Sequence, residues 1–361
     1  MKNVLILLVF SCLIALHSCS DTPTTPTTPA VYDSTLYSLD FQGLPVIAAP
    51  ADNRPTVQGV RLGKMLFFET MLSKNGTQSC ASCHQQKDGF SDIRQFSIGV
   101  ENKPGKRQAM AIFNLAFHKN GLFWDGRAAS IREQSLKPIQ DPLEMNETLE
   151  NVVKKLSASQ TYRDQFIRAF GSDTITPLKI SLALEQFELT LISGNSLYDK
   201  SVRKEAVLTA EQERGRKLFF TEFDPTGKVK GAECFHCHGG PDFSNHDYIN
   251  NGLDMEADFT DVGRFEVTKN PRDRAKFKVT SLRNIAVTPP YMHDGRFKTL
   301  EEVVNHYNTG AKNSSTVDIL MQYNLQKGGL GLSEQDKSDL VAFLKTLTDE
   351  TFLSNTSFAA P

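Results

Sequence analysis

Charge of one sign, free cysteine and long hydrophobic runs are all scarce in this 361-residue chain, and each scarcity excludes something. Lysine and arginine total 40 against 42 acidic residues, a formal net charge of −2. The two signs are mixed along the chain, so the electrostatic footprint of a nucleic-acid-binding protein is missing. The one long apolar run, Val4 to Leu16, is too short to span a bilayer. There is a single tryptophan, Trp124. The length itself suits about two domains, each able to bury a core.

The apolar run follows Lys2 and has the length of a signal-peptide core, so residues 1–18 are read as a leader removed on export. Leu16-His17-Ser18-Cys19 resembles a lipobox with an unusual histidine, which makes Cys19 the expected lipid site. Residues 19–40, with the Thr/Pro repeat from Ser20 to Pro29, are then an extended tether that cannot form a core. These features predict a periplasmic or outer-membrane-associated lipoprotein that meets the membrane only through its anchor. Of the six cysteines, Cys12 lies in the leader and Cys19 at the lipid site. Cys80, Cys83, Cys234 and Cys237 form two C-x-x-C pairs, so none is left for a structural disulfide, although an exported chain permits them.

Two stretches repeat. Gly63-Lys64-Met65-Leu66-Phe67-Phe68 leads to Cys80-Ala81-Ser82-Cys83-His84, and Gly215-Arg216-Lys217-Leu218-Phe219-Phe220 leads to Cys234-Phe235-His236-Cys237-His238. Phe90-Ser91 and Phe243-Ser244 follow, then Asp125-Gly126-Arg127 and Asp294-Gly295-Arg296. Duplication at this spacing means two homologous domains, placed at 41–198 and 199–361 with a junction near Leu197 to Val207. Each half ends in a helical pattern. Thr176-Pro177 starts one as cap and first-turn proline, with Ile180, Leu184, Phe187 and Leu191 as its apolar stripe. Ser333 and Asp336 start the other, whose Leu340, Phe343, Leu344 and Leu347 face inward. Strand signals are sparse, so the expected fold is mainly α: two cytochrome c-like domains joined by long loops.

C-x-x-C-H is the spacing in which two thiols add to the haem vinyl groups while the adjacent imidazole reaches the iron. Two copies in an exported chain outweigh a half zinc site or a redox dithiol. Two covalent c-type haems are therefore predicted, on Cys80, Cys83 and His84 and on Cys234, Cys237 and His238. His236, inside the second motif, and His118 and His246, without partners at metal-site spacing, are read as ordinary structural residues.

Phe123-Trp124-Asp125-Gly126-Arg127-Ala128, then Glu133-Gln134, Pro138 and Leu143-Glu144-Met145, resemble the bacterial di-haem peroxidase family, which includes the cytochrome c peroxidases and the MauG-like enzymes. The likeness runs from about Leu62 to Leu347. It implies that the haem on His84 is peroxidatic, with Phe123, Gln134 and Glu144 in its distal pocket. The second haem is then the electron-transfer group, and Trp124 links the two. It also implies a calcium ion near the domain junction, held by backbone carbonyls of Thr288 and Pro290 and by Gln108, where the family usually has Asn. A homodimer is the assembly that the family often forms.

The residue types fit the chemistry. Heterolysis of peroxide needs a proton moved from its inner to its outer oxygen, which the carboxylate of Glu144 can do. Gln134, a neutral amide, can orient the peroxide without adding charge.

Two places depart from the peroxidase pattern and resemble the MauG-like enzymes. Val100 stands where many members supply a distal His to the first haem. Tyr307 stands where the axial Met of the second haem falls, fourteen positions after His293. On the helix read from Thr299 to Tyr307, Leu300, Val303, Val304 and Tyr307 share one face, which makes Tyr307 the expected sixth ligand, with Met292 and His306 as rivals.

Three functions follow. The first is a peroxidase that reduces hydrogen peroxide to water with electrons from a small cytochrome c or cupredoxin. The second is a MauG-like oxidase acting on a partner protein, and the third a di-haem electron carrier without substrate chemistry.

Overall fold

Two crossed pairs of helices carry the two cores. Thr56 caps Val57–Phe67 by accepting from the Gly59 N–H, and Thr176 caps Pro177–Glu188 by accepting from the Lys179 N–H, with Pro177 in the first turn. The pair meets at Gly63, where a Cβ would lie 1.9 Å from Ala183 O. Leu62, Leu66 and Phe67 pack there against Ile180, Leu184, Phe187 and Leu191. The second half repeats the device with Ala210–Phe219 and Glu334–Lys345. A Cβ on Gly215 would lie 1.8 Å from Asp339 O, and Leu218 and Phe219 meet Leu340, Phe343, Leu344 and Leu347. Both predicted stripes are buried, and the predicted Ser333–Asp336 capping box is present.

Because the clashing atom at each crossing is backbone, the neighbour cannot swing aside. Gly63→Ala and Gly215→Ala are each expected to cost at least about 2 kcal/mol, as overpacking does. Thermal unfolding of the two variants checks this.

The computed structural model of the chain describes residues 29–361 except 225 and 227. The leader at 1–18, Cys19 and the tether as far as residue 28 lie outside the described residues; the rest of the expected tether, 29–40, is bonded to the first half, the Asp33 N–H to Arg168 O at 3.0 Å and the Tyr37 N–H to Pro55 O at 2.9 Å, and Tyr37 packs on its core. Among the described residues no helix is long and apolar enough to cross a membrane. The fold is mainly α, as expected; among the described residues the one two-stranded sheet pairs Tyr248 with Lys278 and Ile249 with Phe277, antiparallel.

The predicted junction holds a short helix, Leu197–Val202, opened by a Ser196–Asp199 capping box. It belongs to the second core. Tyr198 packs there, and buried Asp199 takes both terminal nitrogens of Arg283, at 2.8 and 3.0 Å. The end of the chain goes the other way: Phe352 and Phe358 return to the first core, Phe352 lying 5.5 Å from the Phe90 ring.

Candidate haem sites and the cavity between them

The duplication extends to backbone conformation. Phe90 and Phe243 both have positive φ, 55° and 51°, which turns each carbonyl back onto the histidine of its motif. His84 Nδ1 donates to Phe90 O at 2.9 Å and His238 Nδ1 to Phe243 O at 3.1 Å. Each imidazole is thereby fixed as the tautomer whose Nε2 is the nitrogen available to iron, the arrangement expected of a metal-ligating histidine. Burial pushes both rings below the ordinary imidazole range, His238 to about 4.

Among the described residues Cys80, Cys83, Cys234 and Cys237 form no disulfide. Burial raises all four thiols, Cys234 to about 12 and Cys237 to about 11. A redox dithiol needs a depressed pKa, so this environment suits thiols committed to covalent attachment.

Cys80, Cys83 and His84 line a cavity of about 830 Å³ together with Phe123, Trp124, Gln134 and Glu144, a volume within the range of cofactor pockets. The structure thus brings together every residue expected at the first haem. Phe123 is held with φ 67° under the Arg127 guanidinium, 3.6 Å from its ring centre. Gln134 ends the Ile131–Gln134 helix, capped by Ser130. Glu144 is pushed up to about 7, first by loss of water around it and then by Asp141, with Arg127 opposing. Val100 does not reach the cavity wall, which Ser97, Ile98 and Gly99 form; its N–H donates to Glu144 O at 2.8 Å.

One wall residue was not singled out in the sequence. Glu188 is 4% exposed, its Oε2 has no hydrogen-bond partner, and burial pushes it up to about 8. Its sequence signal is weak: a carboxylate directly after the stripe residue Phe187.

A smaller, more apolar cavity holds Cys234, His238, Met292, Leu300, Val303, Val304 and Tyr307. The predicted helix face is present, but the helix ends at Asn305 and a π-turn, His306–Gly310, carries Tyr307. Asn251 Nδ2 donates to Tyr307 Oη at 3.2 Å and to Met292 Sδ at 3.3 Å, so both ligand candidates lie at one spot. His306 is directed to Asn251 O instead, at 3.1 Å.

Trp124 lines both cavities. Its Nε1–H donates to Gln108 O at 2.8 Å, the Gln108 N–H donates to His293 O at 2.8 Å, and the Trp124 and His293 rings are 6.5 Å apart. Gln108 Nε2 donates to Ser91 Oγ and Asp92 O, which leaves Oε1 as the atom a hard cation would take; Thr288 and Pro290 line the same cavity.

His118 and His246, expected to be ordinary structural residues, are not far apart in the fold. Folding brings them together around Asp242, and the three offer ligand atoms within 4.8 Å of one another. No sequence spacing marks this group, because His118 comes from the first half and the other two from the second.

Two helix pairs, the first helix of each followed by a C-x-x-C-H segment facing its own cavity, define a two-domain c-type cytochrome. The family model for di-haem cytochrome c peroxidase matches residues 57–207. Cytochrome c551 peroxidase of Nitrosomonas europaea is 35% identical over 85% of this chain and 84% of its own length. Methylamine utilization protein MauG of Methylorubrum extorquens is 34% identical over 93% and 91%. A solved MauG-like protein associated with microbial copper homeostasis superposes with a TM-score of 0.80 at 34% identity, covering 88% of this chain and 97% of that one. The chain belongs to the di-haem cytochrome c peroxidase and MauG family, whose cofactors are haems.

Proposed function

We propose that the protein reduces hydrogen peroxide to water, taking two electrons from a small redox protein such as a cytochrome c or cupredoxin. The observation that carries this reading is Glu144, a carboxyl pushed up to about 7 in the cavity that also holds His84, Gln134 and Phe123. An electron carrier has no use for such a group. Cys80, Cys83 and His84 would hold the first haem, and Cys234, Cys237, His238 and Tyr307 the second.

Haem, when bound, supplies the electrons that break the peroxide O–O bond. Glu144 takes the proton from the inner oxygen and returns it to the outer one, so that water leaves. Gln134 orients the substrate through its amide, Phe123 keeps the wall apolar, and Trp124 joins the two cavities as the electron path. Gln108, Thr288 and Pro290 offer the oxygens that calcium takes.

Export and a lipid anchor at Cys19 complete the reading, supported by the apolar run behind Lys2. A MauG-like oxidase acting on a partner protein is the second reading, favoured by Tyr307 in the second cavity.

Stopped-flow mixing with peroxide separates the functions. A fast change in haem absorption that reduced cytochrome c or cupredoxin reverses is expected. A change that responds only to a protein substrate would favour the oxidase, and no change would leave a carrier. The loop at 97–106 contains no histidine, so the fully ferric protein should react without prior reduction. Two six-coordinate low-spin ferric haems, with a lag abolished only by pre-reduction, would contradict this.

A further inference from the structure

We propose that His118, Asp242 and His246 form a binding site for one divalent transition-metal ion of the zinc class, held between the two halves of the chain and separate from both haem irons.

The spacing comes first. Asp242 Oδ2 lies 3.8 Å from His118 Nε2 and 3.6 Å from His246 Nε2. These gaps are too long for hydrogen bonds. They exceed by a few tenths of an ångström the roughly 3.3–3.4 Å that two donors keep around a tetrahedral ion when each stands about 2.0–2.1 Å from it, and all three ligand atoms lie within 4.8 Å of one another. The three side chains are 7%, 2% and 6% exposed.

The surrounding hydrogen bonds leave the inward-facing atoms bare. Ser244 Oγ donates to Val279 O at 2.7 Å and accepts from the His246 N–H at 2.9 Å. With its own proton committed, it accepts from His246 Nδ1 at 3.3 Å, which puts the ring proton on Nδ1 and a lone pair on Nε2. Asn114 Nδ2 donates to Asp242 Oδ1 at 3.0 Å, Ser281 Oγ donates to Asp242 O at 2.7 Å and stands 3.2 Å from Oδ1, and Oδ2 has no hydrogen-bond partner. A carboxylate fixed on one oxygen and an imidazole fixed on its far nitrogen are the outer contacts that orient metal ligands. The same burial pushes both imidazoles down, His246 to about 4, and the Asp242 carboxyl up to about 7.

The ligand set selects the metal. Two imidazoles and one carboxylate suit zinc and its transition-metal neighbours, whereas calcium takes oxygen throughout. The competing charge is Lys278, whose ammonium donates to Lys119 O and His246 O and is weakened by burial to about 8. His118 also lines both haem cavities, so an ion here ties the loop behind the second C-x-x-C-H motif to the segment leading to Trp124.

The test uses the holoprotein with both haems, freed of loose metal by chelator dialysis and then equilibrated with zinc at pH 7.5 in excess calcium. Metal analysis is expected to saturate at one zinc per chain beside two irons. His246→Gln and Asp242→Asn should each weaken binding tenfold or more, and Ser244→Ala by about tenfold through loss of the tautomer-fixing contact. Ser244→Ala also keeps the test alive if the ligand variants fail to fold, which the Soret band and circular dichroism report. His236→Gln, in the more exposed Glu222–Glu233–His236 group, should change nothing. Absence of zinc beside the two irons, zinc insensitive to His246→Gln and Ser244→Ala, or zinc lost with His236→Gln would overturn the proposal.

Discussion

Glu144→Gln is expected to keep the fold and both haems and to slow the first reaction with peroxide by a hundredfold or more. Removal of a positioned proton-transfer group typically costs 10²–10⁴ in rate, roughly 3 kcal/mol or more of barrier. The amide has nearly the shape of the carboxyl but cannot take a proton from peroxide. The pH profile adds a readout that a structural role would not move. Glu144 is pushed up to about 7, so below that pH it is protonated and cannot act as the base. The rate of the native protein should therefore rise with pH and level off above about 7, while the variant stays flat. Equal single-turnover rates for both proteins would remove Glu144 from the mechanism and pass attention to Glu188, the other raised carboxyl on the same wall.

The features legible in the sequence are those encoded locally. C-x-x-C-H places thiols and imidazole within one turn of chain, and the stripes at Ile180 to Leu191 and Leu340 to Leu347 follow from helical period alone. Gly63 and Gly215 were visible as repeated letters. Their reason, a backbone carbonyl under 2 Å from where a Cβ would stand, appears only once the helices cross.

The features that were not legible depend on long-range closure. His118, Asp242 and His246 look like unrelated loop residues until Asn114 bonds to Asp242 across the two halves. Glu188 sits on a helix buried on several sides, where periodicity no longer separates a wall residue from a solvated one. The returning Phe352 and Phe358 carry no signal of which core they enter. Trp124 lies between these cases: the motif singled it out, but its position on both cavity walls rests on Gln108 and His293.

Tyr307→Phe is expected to change the second haem's resonance Raman and EPR spectra and to raise its potential by roughly 100 mV or more, a part of the ~0.8 V span over which axial ligands set haem potentials. A phenolate is anionic and favours the oxidised states, whereas a thioether favours ferrous iron. The second haem would then store an oxidising equivalent more readily than it would serve as a high-potential electron inlet. In the chain itself burial pushes the phenol up to about 12, so ionisation at neutral pH has to come from the iron, as happens when a metal takes a coordinating proton donor. Asn251 sharpens the choice of ligand. Its single amide nitrogen donates to both Tyr307 Oη and Met292 Sδ, so whichever side chain binds iron releases its half of that contact and leaves Asn251 to the other. Tyr307→Phe should therefore leave Met292 held by Asn251 and give a second haem without its phenolate, and Met292→Leu alone should leave the native spectrum in place. If Tyr307→Phe leaves both spectrum and potential unchanged while Met292→Leu shifts them, the ligand is Met292, and the second haem is the high-potential inlet that the peroxidase pattern predicts.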